Sequence, residues 1–217
     1  MLALVVAMGS VGVLWLCGCS DPTKDLASDD AAKVIPALRA SASRASDDTA
    51  EKVGKVIASR DTMVSAEAVR SLGAMRQRRA VKILTEVASG VNEKRGAVRQ
   101  EAVIQLGTQK DPEALNTLRQ VLKADPDPRV RAAAATSISR QRSLPDVALL
   151  VEVAESETDP VVQARAVGSV ERLVGLKFGY DPKASPAERQ MALWRMRGIA
   201  LTAASSLEQR ARRAKQP

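Results

Sequence analysis

The feature that most constrains this chain is a period in its sequence. Asp127-Pro128-Arg129-Val130-Arg131 is restated as Asp159-Pro160-Val161-Val162-Gln163, and Val130, Ala134 and Ile138 stand 32 residues before Val162, Ala166 and Val170. A second helical segment, Pro145 to Ala154, lies between the two. A fixed period of this length marks a unit that cannot bury its apolar face alone and stacks on its own copies. The row extends backwards: Ala68, Ala102, Ala134 and Ala166 lie 34, 32 and 32 apart. Val64, Val98, Val130 and Val162 stand four residues before them, and Leu72, Leu106, Ile138 and Val170 four after. Positions i−4, i and i+4 form one stripe of a helix. The alanine at the centre of each stripe predicts the point where neighbouring helices approach most closely.

A second helix in each unit keeps the same offsets. Leu84, Leu118 and Leu150 are 34 and 32 apart, as are Val81, Leu115 and Val147. Asp111-Pro112 and Pro145-Asp146 read as starts of these helices, because Asp accepts from free N–H groups and Pro lacks the N–H that would go unpaired. An irregular first pair is expected over Asp29–Ser41 and Asp47–Ser59, with Pro36 interrupting its first helix. Gly90 and Gly96 flank a longer connector. Aromatics make up 2% of the chain, so small aliphatics must fill the core. Closely stacked helices suit that composition, since alanine favours helix and lets backbones approach.

These features resemble HEAT and HEAT-like repeats, including the class named for phycobilisome lyase subunits. The resemblance rests on Asp127 to Arg131, Asp159 to Gln163, and Ala97-Val98-Arg99 with Ala102, and it covers about 60–173, more weakly 29–59. In that family Asp, Val and Arg recur at the start of the first helix. Arg99 and Arg131 match the Arg, while Ser65 and Gln163 occupy its place in the other units. The resemblance implies an all-α, right-handed solenoid of helix pairs. Tetratricopeptide repeats share a similar period, but their Trp-Leu-Gly-Tyr signature is absent.

Leu2 to Leu16 is apolar apart from Ser10. Roughly fifteen residues is short for a bilayer span, which needs about 20, and fits the apolar region of a secretory leader. No Lys or Arg precedes Lys24, a departure from the usual leader. Leu16-Cys17-Gly18-Cys19 resembles the bacterial lipobox. The resemblance implies acylation of Cys19 and cleavage before it, with Leu16, Cys17 and Gly18 as recognition positions. Ser20 in the second mature position resembles lipoproteins sorted to the outer membrane. The expected organisation is a signal peptide over 1–18, a lipid-anchored linker over 19–28, HEAT-like repeats over 29–173, an aromatic-containing cap over 174–204 and a basic tail over 205–217.

The aromatics beyond the leader, Phe178, Tyr180 and Trp194, share one segment. Ser185, Pro186 and Glu188 predict a capping box opening a helix. That helix places Ala187, Met191, Trp194, Gly198 and Leu201 on one face. The expectation is a cap with Phe178 and Trp194 packed over the open edge of the last repeat. The alternative is an aromatic recognition patch.

The formal charge is +8, and residues 1–18 carry no charged side chain. There is no histidine, and the two cysteines both lie at the N-terminus. This removes the usual general base and the usual zinc ligands from the repeats. No catalytic residue, metal site or cofactor is assigned. The expected function is a non-enzymatic protein-interaction scaffold, lipid-anchored in the bacterial envelope and facing the periplasm from the outer membrane. Its candidate partner-binding residues, on the second helices, are Lys82, Glu86, Asn116, Arg119, Lys123 and Glu152. They are expected to line the inner face of the curved stack. The competing readings are a nucleic-acid-binding solenoid, using the charge from Arg76 to Arg99, and a lyase-type enzyme. Export argues against the first and the missing nucleophile and base against the second.

Overall fold

The computed structural model describes residue 21 and residues 23–214. Leu16, Cys17, Gly18 and Cys19, and with them the lipidation reading, lie outside the described residues. Among the described residues ten α-helices follow one another: α1 Ala31–Ala42, α2 Asp47–Val56, α3 Thr62–Met75, α4 Arg78–Ala88, α5 Gly96–Leu106, α6 Pro112–Ala124, α7 Pro128–Arg140, α8 Val147–Ser156, α9 Pro160–Val174 and α10 Pro186–Arg213. Short 3-10 turns at Lys24–Ala27 and Leu144–Asp146 precede α1 and α8. The described residues contain no strand. The described residues form an all-α solenoid in which each odd-numbered helix stacks on the next odd-numbered one, and each even-numbered helix from α2 to α8 packs against the odd-numbered helix that follows it.

The repeated apolar positions build the core. Ala68, Ala102, Ala134 and Ala166 are all fully buried, as are Leu72, Leu106, Ile138 and Val170 beside them. Leu84, Leu118 and Leu150 are buried on the even-numbered helices. Each such leucine removes about 2 kcal/mol worth of apolar surface from water. The helices approach closely where side chains are small. A methyl group on Gly107 would sit 2.6 Å from Ser137 Cβ and 3.0 Å from its Cα, so the end of α5 lies almost against the α7 backbone.

Helix starts follow the expected chemistry at most joints. Asp61, Asp111, Asp127 and Asp159 each accept from the free N–H groups of the helix they open, and Pro occupies the first turn after the last three. Asp146 departs from this. Its carboxylate caps nothing and instead accepts from Nε and Nη2 of Arg119, at 2.7 and 3.0 Å. Pro36 does not interrupt α1, which runs through it. Its ring points to solvent and only one backbone bond is forgone, a loss the buried Val34, Ala37 and Leu38 outweigh.

The end of the chain differs more. The capping box of Ser185 and Glu188 is present. The face that packs on the stack, however, carries Leu193, Met196, Ala200 and Ala204, while Trp194 is 74% exposed. Phe178 is buried, so one of the two expected aromatic contacts forms and the other does not. Helix α10 also continues unbroken to Arg213, into the stretch read from sequence as a basic tail.

Candidate interaction surfaces

A polar spine runs through the joints between repeats. Arg99 on α5 donates to both carboxylate oxygens of Asp125 at 2.9 Å and to the Lys94 carbonyl at 2.8 Å. Thirty-two residues on, Arg131 donates to both oxygens of Glu157 at 2.9 and 3.1 Å, and to the Asp125 carbonyl at 2.9 Å. The carboxylates in turn accept backbone N–H groups at the start of the next repeat: Asp127 on Asp125, and Thr158 and Asp159 on Glu157. Each arginine thus satisfies carbonyls that end one loop and the anion that begins the next, polar groups that would be costly to bury alone.

The two exceptions in the arginine row are compensated. Ser65 approaches the carbonyls of Ile57 and Ser59 at 2.9 and 3.1 Å, but has one proton to give. Arg95 completes the joint, donating to Ser59 and Ile57 carbonyls at 2.7 and 2.8 Å and to buried Glu93 at 2.7 Å. Arg95 stands where Asp127 and Asp159 open their helices, and α5 accordingly has no side-chain cap. At the other end Gln163 donates to the Ala154 carbonyl and accepts from the Tyr180 hydroxyl. Glu93, Asp125 and Glu157 fall 32 residues apart, an acidic row as regular as the apolar ones. Burial works to raise the pKa of Glu157; the Arg131 guanidinium and the amides of Asp159 and Thr158 outweigh it and hold the carboxyl below its usual range. Glu93 is held low in the same way, by Arg95 against burial.

A second polar row joins successive repeats. Gln77 donates to the Ala45 carbonyl at 2.6 Å, Gln109 to Gly73 at 2.8 Å and Gln141 to Leu106 at 3.1 Å. These glutamines are also 32 residues apart. The arginine positions were singled out from sequence, but neither their carboxylate partners nor the glutamine row was, although the spacing signals both.

The six candidate binding residues sit on α4, α6 and α8. Lys82, Glu86, Asn116, Lys123 and Glu152 are exposed and Arg119 is half-buried. The structure groups Asn116 with Arg119 through a 2.7 Å hydrogen bond. Arg119 is largely committed to Asp146, so it fixes the α6–α8 joint as well as facing outward. On the odd-numbered helices, Arg39 and Arg70 flank Glu67, with Arg70 reaching Glu101. Further along, Arg129, Arg140 and Arg165 line a shallow groove with Ile104 and Val161. Charge on this face therefore shifts from balanced to basic along the stack. Among the described residues no group of three or more His, Cys, Asp or Glu is placed to hold a metal ion. No described helix is long and apolar enough to cross a membrane.

Residues 90–171 match the family model described as HEAT repeats. Among solved structures, an engineered protein is similar at 18% identity, with a TM-score of 0.47, over 85% of this chain and 95% of that one. A designed armadillo repeat protein is similar at 16% identity, with a TM-score of 0.42, over 85% of this chain and all of that one. No curated protein matches the chain.

Proposed function

This chain carries a HEAT-like repeat domain, and we propose that it is a non-enzymatic protein-interaction scaffold held at the bacterial envelope by lipid on Cys19. The observation that carries the scaffold reading is the disposition of charge. The buried ion pairs and the glutamine row are spent on holding repeat to repeat, leaving a rigid stack with exposed, mixed-charge rows on its even-numbered helices. Lys82, Glu86, Lys123 and Glu152 offer both signs along one run of helices, which suits recognition of a partner of complementary pattern. The anchor reading rests on Leu16-Cys17-Gly18-Cys19 and the apolar run before it; Ser20 supports the outer membrane, facing the periplasm.

Two experiments test these halves separately. The intact mass of protein extracted from native membranes should correspond to a chain beginning at Cys19 and carrying acyl groups; an unmodified chain in the soluble fraction rejects the anchor. A photo-crosslinking residue placed at Lys123 or Glu152 should capture one stoichiometric protein in the envelope, and the same probe at buried-joint neighbour Arg119 should capture it less well. No product from any exposed position of the row rejects this surface.

A further inference from the structure

Helix α10 has two apolar stripes and the solenoid uses one. Leu193, Met196, Ala200 and Ala204 face α8 and α9 and are buried. On the opposite side Trp194 is 74% exposed, Met191 64% and Leu201 39%. Gly198 lies between them, and a Cβ built there meets nothing within 4 Å, so this face is open at its centre. A terminal cap of a solenoid needs a polar outer face to stay soluble. An uncovered Trp, Met and Leu at helical spacing is therefore a departure that calls for an occupant.

The charges around the stripe say which occupant. At about 100° per residue, Arg195 and Arg197 project on either flank of Trp194; Arg197 also contacts Glu155 of α8 at 3.2 Å, with its side chain still 63% exposed. Helix α10 also carries Arg189, Arg210, Arg212 and Arg213, against only Glu188 and Glu208. Glu188 is occupied in the capping box with Ser185. A stripe of Trp, Met and Leu bordered by arginines is the pattern of a helix lying in a lipid interface, its cations reaching the headgroups and its indole at their depth. A second copy of this chain fits poorly. A two-fold contact centred on Trp194 and Gly198 would bring Arg195 and Arg197 of one copy against the same pair of the other.

We propose that the outward stripe of α10, formed by Met191, Trp194, Gly198 and Leu201 between Arg195 and Arg197, lies on an anionic lipid bilayer surface. The contact is reversible and in-plane, and does not require lipid on Cys19. It would present the last repeat edge-on to the membrane.

The test uses the full chain carrying Cys19→Ser, which prevents acylation, and Trp15→Phe, which leaves Trp194 the sole tryptophan. Vesicles of phosphatidylglycerol and phosphatidylcholine, and of phosphatidylcholine alone, are titrated while Trp194 emission is followed. Any insertion of the apolar N-terminal run is common to both vesicle types. The expected result is a blue shift and quenching by brominated acyl chains with the anionic vesicles only. Arg195→Glu with Arg197→Glu should weaken that partitioning on the order of a hundredfold, and Met191→Ala about tenfold, with the helical circular dichroism of each variant unchanged. Emission that stays at the water-exposed position with anionic vesicles overturns the proposal. So does an equal shift with phosphatidylcholine alone, and so does a concentration-dependent shift without vesicles, which would identify a second copy as the occupant.

Discussion

Arg99 and Asp125 form a two-pronged ion pair, 2.9 Å at each contact, with side chains only 7% and 5% exposed. The pair closes the joint between two repeats, and its isolation from water makes it unlike the surface pairs around it. Removing one partner strands a buried charge, whereas removing an exposed partner costs little.

Arg99→Ala should therefore destabilise the chain by about 3–5 kcal/mol. Arg129→Ala, which removes an exposed partner of Asp127, should change stability by less than about 0.5 kcal/mol. Urea unfolding followed by circular dichroism measures both. Equal effects would mean that the buried joint holds no special share of the stability.

The arginine-paired carboxylates also set an acid limit. Arg39 hydrogen-bonding lowers the pKa of Glu67 against burial, with Arg70 adding to it; Glu93 and Glu157 are lowered by their arginines against burial. Folded values below the unfolded glutamate value of about 4.3 mean that stability is fully present above that pH. It is lost as pH falls through the folded values. The melting temperature should be flat near neutrality and fall below roughly pH 4. Glu157→Gln should lower the neutral value, by leaving Arg131 without its anion, and flatten the acid fall. An unchanged slope in that variant would remove Glu157 from the account.

Two glycines, one capping the end of α5 and one inside α9, should respond with opposite sign. Gly107→Ala drives a methyl to 2.6 Å from Ser137 Cβ and 3.0 Å from its backbone, so α5 and α7 must separate, at a cost of about 1–3 kcal/mol. Gly168, inside α9, has open space around it, and Gly168→Ala should stabilise by about 0.5–1 kcal/mol through helix propensity. Melting temperatures of the two variants check both signs.

The apolar rows were legible because each buried position repeats at 32 or 34 residues, and a helix stripe needs only that spacing to be read. The polar rows obey the same period. Glu93, Asp125 and Glu157 looked like ordinary solvated charge because sequence alone does not show that a guanidinium meets each one. Arg95 was harder still: it does the work of an arginine missing at Ser65, from a position where the other repeats have an aspartate. Asp146 misled for a related reason, since its place before α8 suits a cap while the Arg119 guanidinium competes for its oxygens. Among the candidate binding residues, five are exposed as a surface requires, and the sequence offered no means of telling Arg119 from them.

Helix α10 was the least legible element, because it offers two apolar stripes and the one with the tryptophan is the more hydrophobic. The packing follows shape instead: the alanines at 192, 200 and 204 let the helix approach α8 and α9, and Leu193 and Met196 fill the space between. Stability should report this choice. Leu193→Ala and Met196→Ala should each cost about 2–4 kcal/mol, since both side chains are buried. Trp194→Ala should cost less than about 0.5 kcal/mol, although it deletes far more apolar surface. Chemical unfolding of the three variants in the absence of vesicles distinguishes the two faces. If Trp194→Ala proved the most damaging of the three, the tryptophan stripe would be the one that packs on the last repeat, and the outward surface of α10 would be the other.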